Sequence, residues 1–194
     1  MKKVACYCSG KASRIIKYFE EYNFQNYPLE FVFYDGMDFN TVKKLKNINC
    51  NLKVINYKNV NNFKGKFLSQ SISNEILIYL DQFKIDYMFC FGSNILKPNV
   101  VNKYKNRIVN FHPSLLPKYP GLNAIDRALK KKENFLGNTA HFVDEGIDTG
   151  KIIMQSKLHI KEYENYESVL KLQIPMLNKI WNLIKDDKLD YNFE

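Results

Sequence analysis

Apolar and polar positions recur along this chain in two periods, and the two periods take turns. Val4 to Cys8 is a compact β-rich run ended by Ser9-Gly10. From Ser13 to Tyr22 the apolar residues Ile15, Ile16, Phe19 and Tyr22 follow helical spacing. Leu29 to Tyr34 predicts a strand closed by the turn signal Asp35-Gly36. Asp38 or Asn40 stands where a cap would start a helix through Val42 and Leu45. A short alternating strand, Leu52 to Tyr57, precedes a long amphipathic helix from Phe67 to Phe83 with Ile72, Ile76, Leu77 and Leu80 on one side. Tyr87 to Phe91 and Ile108 to Phe111 are further apolar strands.

Strands that are apolar throughout are strands covered on both faces, so the series predicts an α/β fold with a mainly parallel, twisted sheet flanked by helices. In such sheets ligands gather outside the carboxyl ends of the strands. Asn110 and His112 sit at that end of the Ile108 run, and Pro113 and Pro117 bracket a rigid, non-helical loop after it. Gly121 then opens a helix through Ile125 and Leu129. The remainder changes character. Thr139 to Val143 and Ile152 to His159 predict two more strands, a β-rich C-terminal addition, and the loop Asp144 to Gly150 holds three acidic residues and two glycines. Tyr166 to Ile184 predicts one long helix interrupted by Pro175. With no repeat, linker or low-complexity segment, residues 1–194 read as a single domain.

Composition changes this picture little. Hydrophobic content of 45% and aromatic content of 14% suit a folded globule and exclude a disordered chain. No apolar run reaches the roughly 18 residues that span a bilayer. The start, Met1 to Cys8, is cut short by Ser9-Gly10-Lys11 before a secretory apolar region can develop, so the expectation is a cytoplasmic protein without a membrane partner. The four cysteines, Cys6, Cys8, Cys50 and Cys90, lack zinc-type spacing and read as small core residues. Net charge is +9. That suits phosphates, a polyanionic cofactor tail or nucleic acid. The one dense cluster, Lys130-Lys131-Lys132, reads as an exposed helix end, and no nucleic-acid motif accompanies it.

The candidate chemistry lies in Asn110, His112 and the late acidic loop. Residues two apart on an extended segment project to the same side, so the amide and the imidazole emerge together. An amide donates to an oxyanion, an imidazole moves protons and a carboxylate orients the imidazole. Asp148, Asp144 and Glu145 are all available as that carboxylate, and spacing alone does not choose among them.

Asn110 to Gly121 (NFHPSLLPKYPG), with Thr139 to Gly150 (TAHFVDEGIDTG) and Ile152, Ile153 and Gln155, resembles the folate-dependent formyltransferases, nearest to the glycinamide ribonucleotide branch. The resemblance implies a Rossmann-like formyltransferase domain using 10-formyltetrahydrofolate and no metal. It implies that Asn110, His112 and Asp148 form the catalytic set. His141, which falls within the family motif, and His159 lie on strand-like segments and read as structural. It places the folate at Asn94, Ile95 and Leu96 and at the main chain of Val143, Asp144 and Glu145. The acceptor, a small phosphorylated amine, would meet Gly10, Lys11, Ala12, Ser13 and Arg14, with Gly92, Ser93 and Pro113. A homodimer is the assembly to test for.

This chain departs from the family where the acceptor binds. The family's Ser-Gly-Asn-Gly-Ser-Asn loop here reads Ser9-Gly10-Lys11-Ala12-Ser13-Arg14. The alanine restricts positive φ, while Lys11 and Arg14 add charge beside a helix N-terminus that favours anions. Gly-Phe-Met-Arg-Ile-Leu becomes Phe91-Gly92-Ser93-Asn94-Ile95-Leu96, and a substrate-facing glutamate aligns near Leu177. An amino sugar carried on a nucleotide is therefore the alternative acceptor. Hydrolysis of the formyl donor and a non-catalytic basic binding protein are the further alternatives.

Overall fold

A computed structural model describes residues 2–22, 29–48, 53–57 and 66–189. Cys50 and Leu52, both assigned above, lie outside the described residues. The chain divides into two compact units, Met1–Ile108 and Val109–Glu194.

The first unit is a run of parallel β and α units. Its elements are β1 (Val4–Cys8), α1 (Ser13–Glu21), β2 (Leu29–Tyr34), α2 (Phe39–Ile48), β3 (Lys53–Asn56), α3 (Lys66–Gln82), β4 (Tyr87–Phe91) and α4 (Pro98–Lys103). Strand β1 pairs in parallel with β2 on one side and β4 on the other, and β3 continues in parallel beyond β2. Every residue of β1 is fully buried, which is why VACYC carries no polar alternation. The chain steps outward from β1 to β3 and returns to β4, so the order reverses beside β1, where such sheets place ligands. Burial pushes the Cys6 and Cys8 thiols well up, as expected for inert core residues.

Sequence patterns and observed elements agree closely in this unit. Asp38, not Asn40, caps α2: its Oδ1 accepts from Asn40 N at 3.0 Å and its Oδ2 from Thr41 Oγ1 at 2.8 Å. Helix α4 was not signalled, because six residues opened by Pro98 show too little periodicity.

The second unit, which begins within β5 (Ile108–His112), contains α5 (Ala124–Lys130), β6 (Phe135–Phe142), β7 (Ile152–His159), α6 (Tyr166–Lys171) and α7 (Gln173–Lys185). Its strands are antiparallel, with Asn110 opposite His141 and His112 opposite Thr139. Strand β6 starts four residues before the expected Thr139 because Gly137 and Asn138 are strand residues here. A Cβ on Gly137 would lie 2.4 Å from the Ser156 carbonyl, and Asn138 is buried with its Nδ2 donating to the Val169 carbonyl at 2.6 Å. Gly121 does not open α5. It sits in a turn at φ +76°, and the helix starts at Ala124.

The expected single C-terminal helix is two helices, broken at Leu172 and not at Pro175. Pro175 occupies the first turn of α7, where its missing N–H has no intrahelical partner to lose. The inner face of α7 buries Ile174, Leu177, Ile180, Trp181 and Ile184. Trp181 is 0% exposed, and its truncation to alanine should destabilise the protein by about 3–5 kcal/mol. Urea unfolding checks this; a loss below about 1 kcal/mol would contradict the assigned core.

Candidate active site

In the second unit β5 delivers Asn110 and His112 to one edge, and the β6–β7 loop brings Asp148 to them. His112 Nδ1 lies 3.1 Å from Asp148 Oδ2, with side-chain exposures of only 8% and 14%. Asp144, one of the two competing carboxylates, is spent inside its own loop: its Oδ1 accepts from Gly146 N at 3.1 Å and Thr149 Oγ1 at 2.7 Å. Those bonds tighten the turn that presents Asp148, itself at φ +55°, a left-handed conformation that aspartate tolerates better than most residues.

The remaining atoms around the pair come largely from the backbone. His112 Nε2 faces the Tyr119 carbonyl at 2.8 Å, and Gly121 N donates to Asp148 Oδ2 at 2.7 Å. Both nitrogens of His112 therefore face acceptors, an arrangement that only the doubly protonated ring satisfies in full. Burial opposes that charge and draws the His112 pKa below its ordinary 6.5, against the upward pull of the Tyr119 carbonyl and Asp148. Burial also pushes the Asp148 carboxyl up, but the contact with His141, the Gly121 N–H and the His112 charge outweigh it, and the carboxyl lies below its ordinary value. Geometry favours the proton and burial disfavours it, so it is held loosely.

His141, expected to be structural, belongs to the same cluster. Its Nδ1 meets the Phe142 carbonyl at 2.8 Å, so that nitrogen carries a proton. Its Nε2 lies 3.2 Å from Asn110 Nδ2 and 3.5 Å from Asp148 Oδ1. Asn110 Nδ2 in turn reaches Asp148 Oδ1 at 3.4 Å, a long and weak contact that is readily exchanged for another acceptor. His159 does take a structural part: its Nδ1 accepts from Lys161 N at 3.1 Å. The loop after His112 is anchored through Thr139 Oγ1, which donates to the Ser114 carbonyl at 2.7 Å and accepts from Leu116 N at 3.0 Å. Pro113 lines a separate cavity of about 290 Å³ together with Leu115, Leu116, Tyr119 and Glu133.

The expected folate residues fall in both units. Val143 is half-buried, while Asp144 and Glu145 are exposed. With the Asp144 carboxylate engaged, its main chain is what remains to offer a ligand. Among the apolar side chains this unit leaves uncovered are Leu122, at 87% exposure, and Ile147, at 58%. In the first unit Asn94 Nδ2 donates to Asp35 Oδ2 at 2.8 Å, Ile95 is 58% exposed and Leu96 is buried.

The expected acceptor residues cluster in the first unit at the ends of β1 and β4. Gly10 is at φ +58°, and the Tyr34 hydroxyl donates to its carbonyl at 2.6 Å. Ala12 adopts φ +47° even though it is not glycine, so the substitution strains the loop without preventing its left-handed turn. Ser93 N donates to Ser9 Oγ at 2.8 Å, tying the two loops together. Gly92 is dictated by packing, since a Cβ there would fall 1.9 Å from the Tyr7 ring. The Arg14 guanidinium lies over Phe91, 5.0 Å from the ring centroid. Lys11, Lys17 and Lys44, with Ser13, Thr41 and the carboxylates Glu20 and Asp38, line a cleft of about 400 Å³. Leu177, which the resemblance sets near a substrate-facing glutamate of the family, is instead buried in the α7 core. Among the described residues no group of three or more His, Cys, Asp or Glu converges as metal ligands, and no helix is long and apolar enough to cross a membrane.

The family described as Formyl transferase matches residues 2–178. A phosphoribosylglycinamide formyltransferase of Haemophilus influenzae is 37% identical over 110 residues, which cover 53% of this chain and 52% of that protein. The chain thus spans about half the length of this curated relative. The crystal structure of phosphoribosylglycinamide formyltransferase from Bacillus halodurans matches with a TM-score of 0.72 and 29% identity, over 89% of this chain and 88% of that one. That of glycinamide ribonucleotide transformylase 1 from Symbiobacterium toebii matches with 0.81 over 96% and 89%, and at 21% identity the likeness shows the fold alone.

The lowered pKa values of His112 and Asp148 carry a sign. The unfolded chain binds more protons than the folded one, so both groups contribute stability that is present above their unfolded pKa values and lost as pH falls. For His112 that loss begins below its ordinary 6.5, and for Asp148 below 3.8. Replacing His112 with glutamine should flatten the stability–pH curve immediately below pH 6.5, measured by urea midpoints. An unchanged slope in that window would contradict the burial of this ring.

Proposed function

This chain belongs to the formyl transferase family, and from that premise we propose that it moves a formyl group from 10-formyltetrahydrofolate to the primary amine of glycinamide ribonucleotide, an enzyme step of purine biosynthesis. The observation that carries the proposal is the 3.1 Å contact between His112 Nδ1 and Asp148 Oδ2, with Asn110 in the same cluster. The donor supplies an activated formyl group whose carbonyl carbon takes the amine. The chain's own residues would manage charge and protons around that event.

In this reading Asn110 Nδ2–H exchanges its long contact with Asp148 for the formyl oxygen as that oxygen gains charge, a type of contact worth roughly 3–4 kcal/mol in the barrier. Nδ1 of His112 faces Asp148, so Nε2 is the nitrogen free to work once it leaves the Tyr119 carbonyl. Its proton is donated to the oxygen or passed between amine and leaving nitrogen. Asp148 holds the ring in place and stabilises its charge. His141 holds the Asn110 amide nitrogen in register. The positive cleft at Lys11, Lys17 and Lys44 supports a phosphorylated acceptor, and the similarity to phosphoribosylglycinamide formyltransferases of Haemophilus influenzae and Bacillus halodurans favours glycinamide ribonucleotide. The buried thiols of Cys6, Cys8 and Cys90, which form no disulfide, suit a cytoplasmic setting.

A folate-release assay tests this with 10-formyltetrahydrofolate and two acceptors, glycinamide ribonucleotide and a nucleotide-linked amino sugar. Turnover is expected with the ribonucleotide. Release without any amine, or with the amino sugar alone, would replace the proposal by one of those activities. Asn110→Ala and His112→Ala should each lower kcat by about 10²-fold or more; near-normal rates in either would remove its role. Lys11→Ala or Arg14→Ala should raise the KM for the acceptor far more than that for the donor, and unchanged acceptor KM in both would remove the anion-binding assignment of the loop.

A further inference from the structure

Tyr119 is held in a conformation that its side chain disfavours. Its φ is +58°, in the left-handed region where a bulky residue persists only if its surroundings over-determine it. That backbone twist aims the Tyr119 carbonyl at His112 Nε2, 2.8 Å away. What over-determines it is on the outside of the loop. The Tyr119 hydroxyl donates to Glu133 Oε1 at 2.8 Å, and Lys118 Nζ, one residue earlier, reaches both Glu133 oxygens at 2.9 and 3.0 Å. The hydrogen bonds from Lys118 and Tyr119 hold the Glu133 carboxyl below its ordinary value, so it is an anion at neutral pH. From α5, Arg127 donates to the Pro120 carbonyl and, at 3.4 Å, to that of Gly121, and its guanidinium lies 5.8 Å from the centre of the Tyr119 ring.

We propose that Glu133 is a positioning residue for His112: by gripping Lys118 and Tyr119 it locks the turn whose carbonyl holds Nε2 and whose Gly121 amide holds Asp148. Glu133 touches neither side chain of that pair, and neither the family resemblance nor the spacing of motifs singles it out. It acts through one backbone unit. The assignment rests on the catalytic reading of His112, but its effect on the ring is observable without any reaction.

The groups that face His112 are Asp148 from the β6–β7 loop, His141 from β6, Arg127 from α5 and the Tyr119 carbonyl. Of these, Glu133 bears on the carbonyl. Loosening that acceptor removes support from the protonated ring, so the midpoint of His112 should fall. The experiment is a pH titration of the imidazole Cε1–H signals in ¹³C-labelled full-length protein, where three histidines give three signals that His→Gln variants assign. Glu133→Ala should lower the His112 midpoint by about half a unit. Tyr119→Phe, which deletes only the hydroxyl and cannot plausibly unfold the chain, should shift it in the same direction. Glu133→Gln, whose amide oxygen still accepts from Tyr119, should restore most of the shift. The high-pH limb of kcat/KM should move by the same amount in each variant. A His112 midpoint equal to wild type in both Glu133→Ala and Tyr119→Phe overturns the proposal, as does a loss of thermal stability without any change in midpoint. Absence of formyl transfer in the wild-type protein would sink the function proposed above and leave this titration result standing.

Discussion

An imidazole buried between a carboxylate and a backbone carbonyl is the constraint from which the second unit's architecture follows. His112 has acceptors on both nitrogens, at 3.1 and 2.8 Å, and little water to screen them. A neutral ring leaves one acceptor facing a lone pair, and a charged ring sits in a poorly hydrating interior. Neither state is comfortable. The role proposed for His112, giving up a proton and recovering it within one turnover, is served by that balance, because a deeply stabilised charge would not release its proton and a fully neutral ring would have none to give. The antiparallel register of β5 and β6 sets Asn110 against His141, and the β6–β7 loop folds back so that Asp148 reaches between them.

Holding the balance requires backbone strain. Tyr119 and Asp148 both adopt positive φ, and so does Gly121. Each left-handed non-glycine residue costs about 1–2 kcal/mol. In the first unit Ala12 is strained in the same sense, at the loop between β1 and α1. Strain of this kind can direct atoms from a loop, and beside His112 the directed atoms are main-chain ones, the Tyr119 carbonyl and the Gly121 amide. Side chains then secure the loops from behind, as Thr139 does for Ser114 and Leu116, and Glu133 for Lys118 and Tyr119.

Much of this was legible in the residues. The apolar runs of β1 and β4, and the largely apolar β2, revealed buried parallel strands to within a residue, and α3 was read from its period alone. Asn110 and His112 could be paired because residues two apart on a strand share a side. Asp148 could not be separated from Asp144 and Glu145 until the loop was closed by the bonds that consume Asp144. The closeness of His141 to Asn110 and Asp148 was not legible, because its neighbour is set by antiparallel pairing, a long-range property no local pattern carries. Gly121 is a turn residue taken for a helix start, and β6 runs ahead of the expected Thr139 through Gly137, a strand residue kept small by Ser156 and Leu115. Tyr119 and Glu133 were invisible, since one contributes a carbonyl and the other acts at one remove.

The most direct test of this account is whether His112 Nδ1 carries a proton directed at Asp148. Proton NMR of ¹⁵N-histidine-labelled protein, recorded just below the His112 midpoint, should show a low-field, slowly exchanging resonance coupled to His112 Nδ1, and Asp148→Asn should abolish it. A His112 Nδ1 whose proton exchanges with solvent as freely as that of an exposed histidine would contradict the account.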